Sequence, residues 1–303
     1  MTKILLTGAT GFVGARTLNA LAAKGADVVA VTRGAPGRTA PNISWLKADL
    51  TQAEDRARLV REAGATHLLH LGWRAVYGDV SNSPENIDWL GHSLALARHF
   101  IEAGGQRIVG CGTCFEYDWR QGVCVEELTP IAPSTLYGSA KHAFHVALEG
   151  FARSGKFSLA WARPFFIYGE DENPTRLVAS VAHALLEGRP AETSHGRQIR
   201  DYLHIDDVAE GLAALALSDA AGAYNIASGQ AITLKDIIFE LANQAGRPDL
   251  VRLGARQAQP YEPPIIVGDT RKTFEAIGWK ARIDLKTGVG MTLEGMRARK
   301  KAS

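Results

Sequence analysis

Near its start the sequence reads Lys3-Ile4-Leu5-Leu6-Thr7-Gly8-Ala9-Thr10-Gly11-Phe12-Val13-Gly14, an apolar run followed at once by regularly spaced glycines. The apolar run has the length of a buried strand, and a helical pattern continues from Phe12 to Ala23. Gly8, Gly11 and Gly14 permit a tight turn, close approach of the backbone to a pyrophosphate, and close packing of helix on strand. The free N–H groups at the start of the helix would face that anion. This order of strand, turn and helix predicts a nucleotide-binding unit.

Strand and helix patterns alternate through the first two thirds of the sequence. Strands are predicted at Lys3–Leu6, Asp27–Val31, Ile43–Leu46, His67–Leu71, Arg107–Cys111 and Ser158–Ala162, and helices at Phe12–Ala23, Ala53–Glu62, Asn86–Ala103 and Tyr137–Ala152. Such alternation is typical of an α/β fold with a parallel sheet and helices on both faces. Ligands of these sheets bind at the carboxyl ends of the strands, where the glycine turn lies.

A tyrosine and a lysine lie four residues apart in Leu136-Tyr137-Gly138-Ser139-Ala140-Lys141. On a helix this spacing places both side chains on one face, so an ammonium can favour the ionised form of a phenol. Base chemistry near neutrality needs the pKa of the tyrosine to fall by roughly three units, about 4 kcal/mol. We expect Lys141 and a neighbouring cationic cofactor to supply that shift.

Three motifs occur in an order that resembles the extended short-chain dehydrogenase/reductases. They are the glycine turn, Thr113 ahead of the Tyr137–Lys141 pair, and the run Arg200-Asp201-Tyr202-Leu203-His204-Ile205-Asp206-Asp207-Val208. That family includes nucleotide-sugar epimerases, dehydratases and ketoreductases, and the resemblance extends from Lys3 to about Gly290. It implies a Rossmann-type doubly wound parallel sheet with a smaller, discontinuous C-terminal substrate lobe.

The resemblance also implies a division of the chain into two parts. Residues 1–163 would form the NAD(P)-binding domain, residues 164–303 would form mainly the substrate lobe, and residues 204–227 would return to the cofactor domain. Breaks at Gly188-Arg189-Pro190 and from Gln257 to Pro264 are consistent with the looser pattern of the second part.

The cofactor is predicted from the end of the second strand. An acidic side chain there commonly accepts from the ribose of NAD, whereas an arginine can pair with the 2′-phosphate of NADP. Thr32 and Arg33 occupy this place, so NADP(H) is favoured and NAD(H) remains possible. By resemblance the cofactor residues are Gly8, Thr10, Gly11, Phe12, Val13, Gly14, Thr32, Arg33, Asp49, Leu50, Leu71, Gly72, Trp73, Tyr137, Lys141 and Pro164.

The resemblance assigns three catalytic roles. Thr113 would hydrogen-bond the reacting oxygen, Tyr137 would donate or remove its proton, and Lys141 would hold the nicotinamide ribose. The cofactor would supply or accept the hydride. Dehydration is disfavoured, because dehydratases of the family follow the threonine with an acid and a base, whereas Cys114 and Phe115 follow it here. Glu116 is one residue too late, unless a short shift of the loop brings it into the pocket.

Substrate residues transfer less directly from the family. Phe166 stands where many relatives have a sugar-binding asparagine, and a cofactor-side asparagine falls near Trp89. Arg200 is expected to meet a substrate diphosphate, with Arg271 joining it, because two guanidiniums make bidentate contacts with phosphates. The predicted substrate residues are Trp73, Phe115, Phe166, Arg200 and Arg271, and Trp119 is a further aromatic candidate for the sugar pocket.

We therefore predict an NADP(H)-dependent reductase of the keto group, at C4, of a nucleotide-linked sugar, serving surface-polysaccharide synthesis. The alternative enzyme is an NAD-dependent nucleotide-sugar 4-epimerase, which returns the hydride to the opposite face of the keto intermediate. A third hypothesis is a non-catalytic NADP-sensing regulator on the same scaffold. Retention of Tyr137 and Lys141 argues against it.

Composition bounds the remaining possibilities. The 303 residues are 46% hydrophobic and carry a formal charge of +2, values that favour a globular enzyme without nucleic-acid or membrane partners. Without an apparent leader or membrane span, a cytoplasmic location is expected, and the family predicts a homodimer through the helices near 86–103 and 137–152. Cys111 and Cys114 are interpreted as structural thiols. His142 and His145 lack partners at metal-ligand spacing, so no metal is predicted.

Overall fold

The computed structural model of the chain describes residues 2–74, 80–258 and 262–302. Residues 259–261, inside the predicted break from Gln257 to Pro264, lie outside the described residues. The strands are β1 (Lys3–Thr7), β2 (Asp27–Thr32), β3 (Ile43–Lys47), β4 (His67–His70), β5 (Arg107–Cys111), β6 (Val123–Cys124), β7 (Ser158–Pro164), β8 (Phe166–Tyr168), β9 (Ala191–Thr193), β10 (Ile199–Arg200), β11 (Tyr202–His204), β12 (Gly222–Ile226), β13 (Ile232–Thr233), β14 (Val251–Leu253) and β15 (Ile265–Gly268).

The helices connect these strands and cover the sheet. They are α1 (Phe12–Ala23), α2 (Ala53–Ala63), α3 (Glu85–Glu102), α4 (Leu136–Ala152), α5 (Leu177–Leu186), α6 (Ile205–Leu217), α7 (Leu234–Ala245), α8 (Arg271–Ile277) and α9 (Leu285–Ala302). Three short 3₁₀ turns lie at Cys114–Glu116, Trp119–Gln121 and Pro248–Leu250.

A seven-stranded sheet forms the centre of the fold. Its strand order is β12-β7-β5-β4-β1-β2-β3, and every neighbouring pair is parallel. From β1 the strand order runs outward in both directions, to β2 and β3 on one side and to β4, β5, β7 and β12 on the other. Doubly wound sheets bind their ligands where the order reverses in this way, at the carboxyl ends of the strands. The predicted Rossmann-type sheet is confirmed.

The middle residues of the central strands are apolar because both faces of the sheet are covered. Ile4, Leu5 and Leu6 of β1 are fully buried. Helices α1 and α6 pack together over one face, and α2, α3 and α4 cover the other. Helices thus cover both faces of the central sheet, and the strand ends that carry the glycine turn are supported from both sides.

Short strands and three helices form most of the remainder. β13, β10, β15 and β6 make a four-stranded sheet, and two pairs, β11 with β8 and β14 with β9, complete the strands. Buried residues of α5, α7 and α9 share a separate apolar cluster. β12 joins the central sheet beside β7, although it lies beyond residue 163 in sequence. The division of the chain near residue 163 stays a prediction.

Candidate active site

The glycine turn after β1 has the close contacts that its sequence predicts. Gly8 has φ +71°, and a Cβ there would lie 2.8 Å from the carbonyl carbon of Leu71. A Cβ on Gly14 would overlap the carbonyl oxygen of Gly8, so α1 can pack this closely only on a glycine. Helix α1 begins after Gly11 without a side-chain cap. Its first N–H groups are therefore suited to an anion such as a dinucleotide pyrophosphate.

A cleft of about 210 Å³ opens beside this turn, at the carboxyl ends of β1, β2 and β4. Ten of the predicted cofactor residues line it: Gly8, Thr10, Gly11, Thr32, Arg33, Asp49, Leu50, Leu71, Gly72 and Trp73. Phe12, Val13 and Gly14 lie in the first turn of α1, and Pro164 ends β7. The uncapped helix start and these lining residues are suited to the pyrophosphate of a dinucleotide.

Two residues outside the predicted cofactor set also line the cleft. Trp89 lies near the position of the family asparagine, and its ring centroid is 6.4 Å from that of Trp73. Arg74 also lines the cleft, but nothing in its sequence context distinguished it. The two indoles give the cleft an aromatic wall at this end.

Arg33 is exposed at the mouth of the cleft. The preceding Thr32 is buried, and its hydroxyl accepts from the N–H of Gly34 and donates to the carbonyl of Ala35, which shapes the turn that carries the arginine. The N–H of Thr51 holds the pKa of Asp49 below its usual range, and the Arg33 guanidinium acts in the same direction. The positive charge of Arg33 therefore lies at the edge of the cofactor cleft.

Thr113 and Tyr137 come from two elements that pack closely. Thr113 follows β5 and caps the short turn Cys114–Glu116, while Tyr137 lies in the first turn of α4. A Cβ on Gly138 would overlap the carbonyl oxygen of Phe115, so this glycine lets α4 approach the threonine loop. The rings of Phe115 and Tyr137 have centroids 6.1 Å apart.

Lys141 is buried one turn further along α4, with 4% of its surface exposed. Its Nζ donates to the carbonyl of Cys111 at 2.8 Å, lies 5.8 Å from the ring centroid of Tyr137, and lies 4.1 Å from that of Trp73. The indole of Trp73 is held by Asn86, whose side-chain oxygen accepts from its Nε1 at 2.9 Å. Thus the lysine links the predicted catalytic pair to the cofactor cleft.

The pKa of Tyr137 does not move in the expected direction. Burial raises it above its ordinary value, and nearby Cys111 and Glu116 add to the rise. Burial also lowers the pKa of Lys141 to about 8. In the chain without a bound cofactor, desolvation of the phenolate therefore opposes the acidification of Tyr137 that the sequence predicts from Lys141 and a cationic cofactor together. The expected contribution of a cationic nicotinamide is separate from this balance.

Glu116 cannot serve as the base of a dehydratase in this arrangement. Its carboxylate is fully buried and accepts from the Thr113 N–H at 2.9 Å, Trp161 Nε1 at 3.0 Å and Arg163 Nε at 2.9 Å. Both oxygens are thus engaged. This pairing agrees with the expectation that dehydration is disfavoured.

One group of potential metal ligands occurs within the described ranges. Ligand atoms of Glu116, His142 and His145 lie within 4.8 Å of one another. However, the guanidinium of Arg163 already occupies the glutamate. A cation would compete with a positive charge for the same oxygens, so the geometry does not suit a metal.

The three cysteines have free thiols. Burial raises the pKa values of Cys111 and Cys114, and that of Cys124 to about 12. Raised thiol pKa values disfavour the thiolate that redox chemistry uses.

Aromatic rings gather near the tyrosine. The ring centroid of Phe115 is 4.6 Å from that of Trp119 and 6.2 Å from that of Phe166, which in turn is 5.7 Å from Tyr202. The N–H of Trp119 is used on the carbonyl of Cys114. Two predicted substrate residues and one further candidate therefore meet in one apolar wall, and Tyr202 is added to it by the structure.

The two predicted substrate arginines pair with different carboxylates. Arg200 is buried, pairs with Glu262 at 2.8 Å, and places its guanidinium 5.5 Å from the ring centroid of Phe166. Arg271 is largely exposed and pairs with Asp269 at 2.8 Å, in a groove that includes Ile199 and Ile265. Each guanidinium has its own carboxylate partner in the structure, and their convergence on one diphosphate stays a prediction. Of the two, only Arg200 borders the apolar wall that contains Phe166.

The doubly wound sheet, the glycine cradle and the tyrosine–lysine pair beside it define an enzyme of the short-chain dehydrogenase/reductase class. The model of the NAD dependent epimerase/dehydratase family matches residues 4–227. The chain therefore belongs to that family, and it is an NAD(P)-dependent enzyme.

Individual relatives cover nearly the whole chain. A UDP-glucose 4-epimerase of Mycolicibacterium smegmatis is 25% identical over 97% of this chain and 98% of its own length. The structure of UDP-glucose 4-epimerase from Thermus thermophilus in complex with NAD is 25% identical, covers 98% of this chain and 99% of that one, and has a TM-score of 0.86. The Thermotoga maritima UDP-glucose 4-epimerase with UDP-glucose has a TM-score of 0.88 at 22% identity, covers 99% and 100% of the two chains, and supports the fold.

Among the described residues, no helix combines the length and the apolar character needed to cross a bilayer.

Proposed function

We propose that the chain transfers hydride at C4 of a nucleotide-linked sugar, with Tyr137 exchanging the proton of the reacting oxygen. The observation that carries this proposal is the packing of the Thr113 loop against Tyr137, with Lys141 connecting the tyrosine to the cofactor cleft. NAD(P), when bound, would accept or supply the hydride.

The side chains would divide the work as follows. The N–H of Phe115 donates to the hydroxyl oxygen of Thr113, which leaves the hydroxyl proton for the reacting oxygen of the sugar. Tyr137 would donate its proton when the oxygen is a carbonyl and remove one when it is a hydroxyl. Lys141 would orient the nicotinamide ribose. Arg200, freed from Glu262 or sharing it, would face the diphosphate.

Epimerisation at C4 is the form of this reaction that the relatives support. The relatives named above are UDP-glucose 4-epimerases, and one of their structures contains NAD. In that reaction Tyr137 would first remove a proton and later return one, and the cofactor would end each turnover oxidised. Glu116, buried in its ion pair, is consistent with a reaction that needs no elimination of water.

Net reduction of a keto sugar by NADPH is the second candidate, and Arg33 favours it. An exposed guanidinium at the edge of the cofactor cleft suits a 2′-phosphate. A raised pKa also keeps Tyr137 protonated, which suits donation to a carbonyl.

Three wider proposals accompany either reaction. We propose a role in surface-polysaccharide synthesis, action in the cytoplasm, and a homodimer through α3 and α4. The exposed apolar side chains of Ile87 and Val146 on these helices, with 55% and 50% of their surfaces exposed, support the dimer.

The decisive experiment combines a ligand analysis with an assay. Mass spectrometry of the nucleotides released from purified protein would identify the cofactor. The protein would then be incubated with UDP-hexoses without added cofactor, and separately with nucleotide 4-keto sugars and NADPH. Epimerisation predicts interconversion of epimers with no net change at 340 nm, whereas reduction predicts loss of one NADPH per sugar. Failure of both, with cofactor bound, would refute hydride transfer at C4.

A further inference from the structure

A buried carboxylate lies directly behind the threonine loop. Glu116 and Thr113 form a reciprocal cap: the N–H of Thr113 donates to the carboxylate, and the Thr113 side chain caps the turn that contains Glu116. Trp161 and Arg163, both on β7, donate to the same carboxylate. Three donors from a buried strand and a loop thus hold one side chain in a single position.

The carboxylate belongs to a longer network. Arg163 also donates from Nη1 to the hydroxyl of Tyr117 at 3.1 Å, and that hydroxyl donates to Asn225 at 2.7 Å. The amide of Asn225 donates in turn to the carbonyls of Cys124 at 2.9 Å and Asp269 at 3.1 Å. The threonine loop is therefore tied to β7 and β12 of the central sheet, and through Asn225 to β6 and the segment after β15.

We propose that Glu116 is a positioning residue, which fixes the backbone at Thr113 so that the threonine hydroxyl faces the reacting oxygen. The proposal rests on the proposed hydride transfer for its consequence, but the placement of the loop is a property of the chain itself. The carboxylate does not line the cofactor cleft. It would act only through Thr113, and through its charge on the neighbouring tyrosine.

The charge of Glu116 has a second, electrostatic consequence. It acts to raise the pKa values of both Tyr137 and Lys141. Removal of that charge should lower the pKa of Tyr137, and the unpaired guanidinium of Arg163 would push it the same way. The other charged or titratable groups facing Tyr137 or Glu116 are Cys111 on β5, Cys114 after it, Lys141, His142 and His145 on α4, and Arg176 ahead of α5.

The test uses Glu116→Gln, which keeps the size of the side chain. The amide NH₂ of the variant would face N–H groups that donate to the carboxylate in the wild type. We expect kcat to fall roughly 10- to 100-fold, the cost of a small misplacement of a catalytic group, with KM and cofactor affinity nearly unchanged. The limb of the pH profile that reports Tyr137 should move to lower pH. Glu127→Gln is the matched control, because it removes an exposed carboxylate of the same segment, and it should leave kcat and the profile as they are.

A readout independent of activity separates this proposal from the proposed function. Hydrogen exchange at the Thr113 amide should be faster in Glu116→Gln than in the wild type, whether or not a substrate is known. Absence of hydride transfer in the wild type, together with faster exchange in the variant, would refute the proposed function and retain the placement of the loop by Glu116.

A second variant covers the case in which Glu116→Gln does not fold. Trp161→Phe removes one donor to the carboxylate while keeping the ion pair, and it should give a smaller fall in kcat and a smaller rise in exchange at Thr113. If either folded variant shows wild-type exchange at Thr113, wild-type kcat and an unmoved pH profile, with only a lower melting temperature, Glu116 is merely structural and the proposal is overturned.

Discussion

At the scale of single residues, the side chains proposed to react differ from the side chains that hold them in place. Tyr137 and Lys141 lie together beside the loop that carries Thr113, and the identities of these three residues follow from short motifs. The partners that fix them do not. Arg163 lies 47 residues from Glu116 in sequence, so the ion pair behind Thr113 becomes apparent only in three dimensions.

Arg271 shows why a charged residue is hard to assign from sequence. The carboxylate of Asp269, two residues earlier, pairs with the Arg271 guanidinium at the exposed start of α8. Arg200, in contrast, is drawn into the protein against Phe166 and Glu262. Both are arginines in polar motifs, and the choice of carboxylate partner distinguishes them. The direction of the pKa of Tyr137 was likewise unpredictable, because it depends on burial rather than on the spacing to Lys141.

Arg33→Ala tests whether this residue makes the site prefer NADPH over NADH. If the guanidinium pairs with a 2′-phosphate, the variant should lose roughly 10- to 100-fold in affinity for NADPH, the value of one charge-assisted hydrogen bond, and little for NADH. Fluorescence titration of each cofactor gives the two dissociation constants. Arg38→Ala, another exposed arginine after β2, is the control. Equal losses for the two cofactors would show that Arg33 does not read the phosphate.

At the scale of secondary-structure elements, the sequence predicted the central sheet well and the outer strands poorly. Every predicted strand of the first 163 residues is present, within two residues at its ends. β1 extends one residue further than predicted, and its Thr7 hydroxyl accepts from the N–H of Gly72, which follows β4. Strands of two to four residues such as β10, β13 and β15 show no usable periodicity, and they pair with segments far away in sequence.

The contact of α1 with β1 gives a prediction for an element. Gly14→Ala would place a methyl group against the carbonyl oxygen of Gly8, so α1 must move away from the turn. We expect loss of cofactor binding and destabilisation by about 1–3 kcal/mol, the range for overpacking. Calorimetry and urea unfolding measure both.

The control for Gly14→Ala is Gly150→Ala, in a different helix, α4, where an added Cβ meets open space. That change should stabilise the protein by about 0.5–1 kcal/mol, because alanine is the better helix former. Wild-type cofactor affinity in Gly14→Ala would contradict the close packing at the cradle.

At the scale of the whole molecule, buried ionisable groups link stability to pH. Burial, with the charge of Lys141, lowers the pKa of His70 to about 3. Burial, with Arg163 and His142, lowers the pKa of His145 to about 3. Both imidazoles stay neutral in the folded chain while they would take up protons near pH 6.5 in the unfolded chain. Below pH 6.5 the unfolded state thus binds more protons than the folded state. The free energy of unfolding therefore decreases as the pH is lowered from 6.5 towards 3.

This linkage predicts a measurable loss on mild acidification. Between pH 6.5 and 5.5 each histidine should cost about 1 kcal/mol of unfolding free energy. Urea unfolding at the two pH values measures the loss, and His145→Gln should reduce it by about that amount for one group. His195→Gln, at an exposed histidine, should not reduce it. An equal loss in wild type and His145→Gln would show that His145 does not contribute.

The most direct measurement is single-turnover hydride transfer, followed at 340 nm, in wild type and Tyr137→Phe loaded with the cofactor that co-purifies. With the nucleotide sugar that the wild type turns over, the variant should be slower by roughly 10²- to 10⁴-fold, the usual contribution of a general acid or base, while its cofactor affinity stays nearly unchanged. An undiminished rate in cofactor-loaded Tyr137→Phe would contradict the assignment of the proton to this tyrosine.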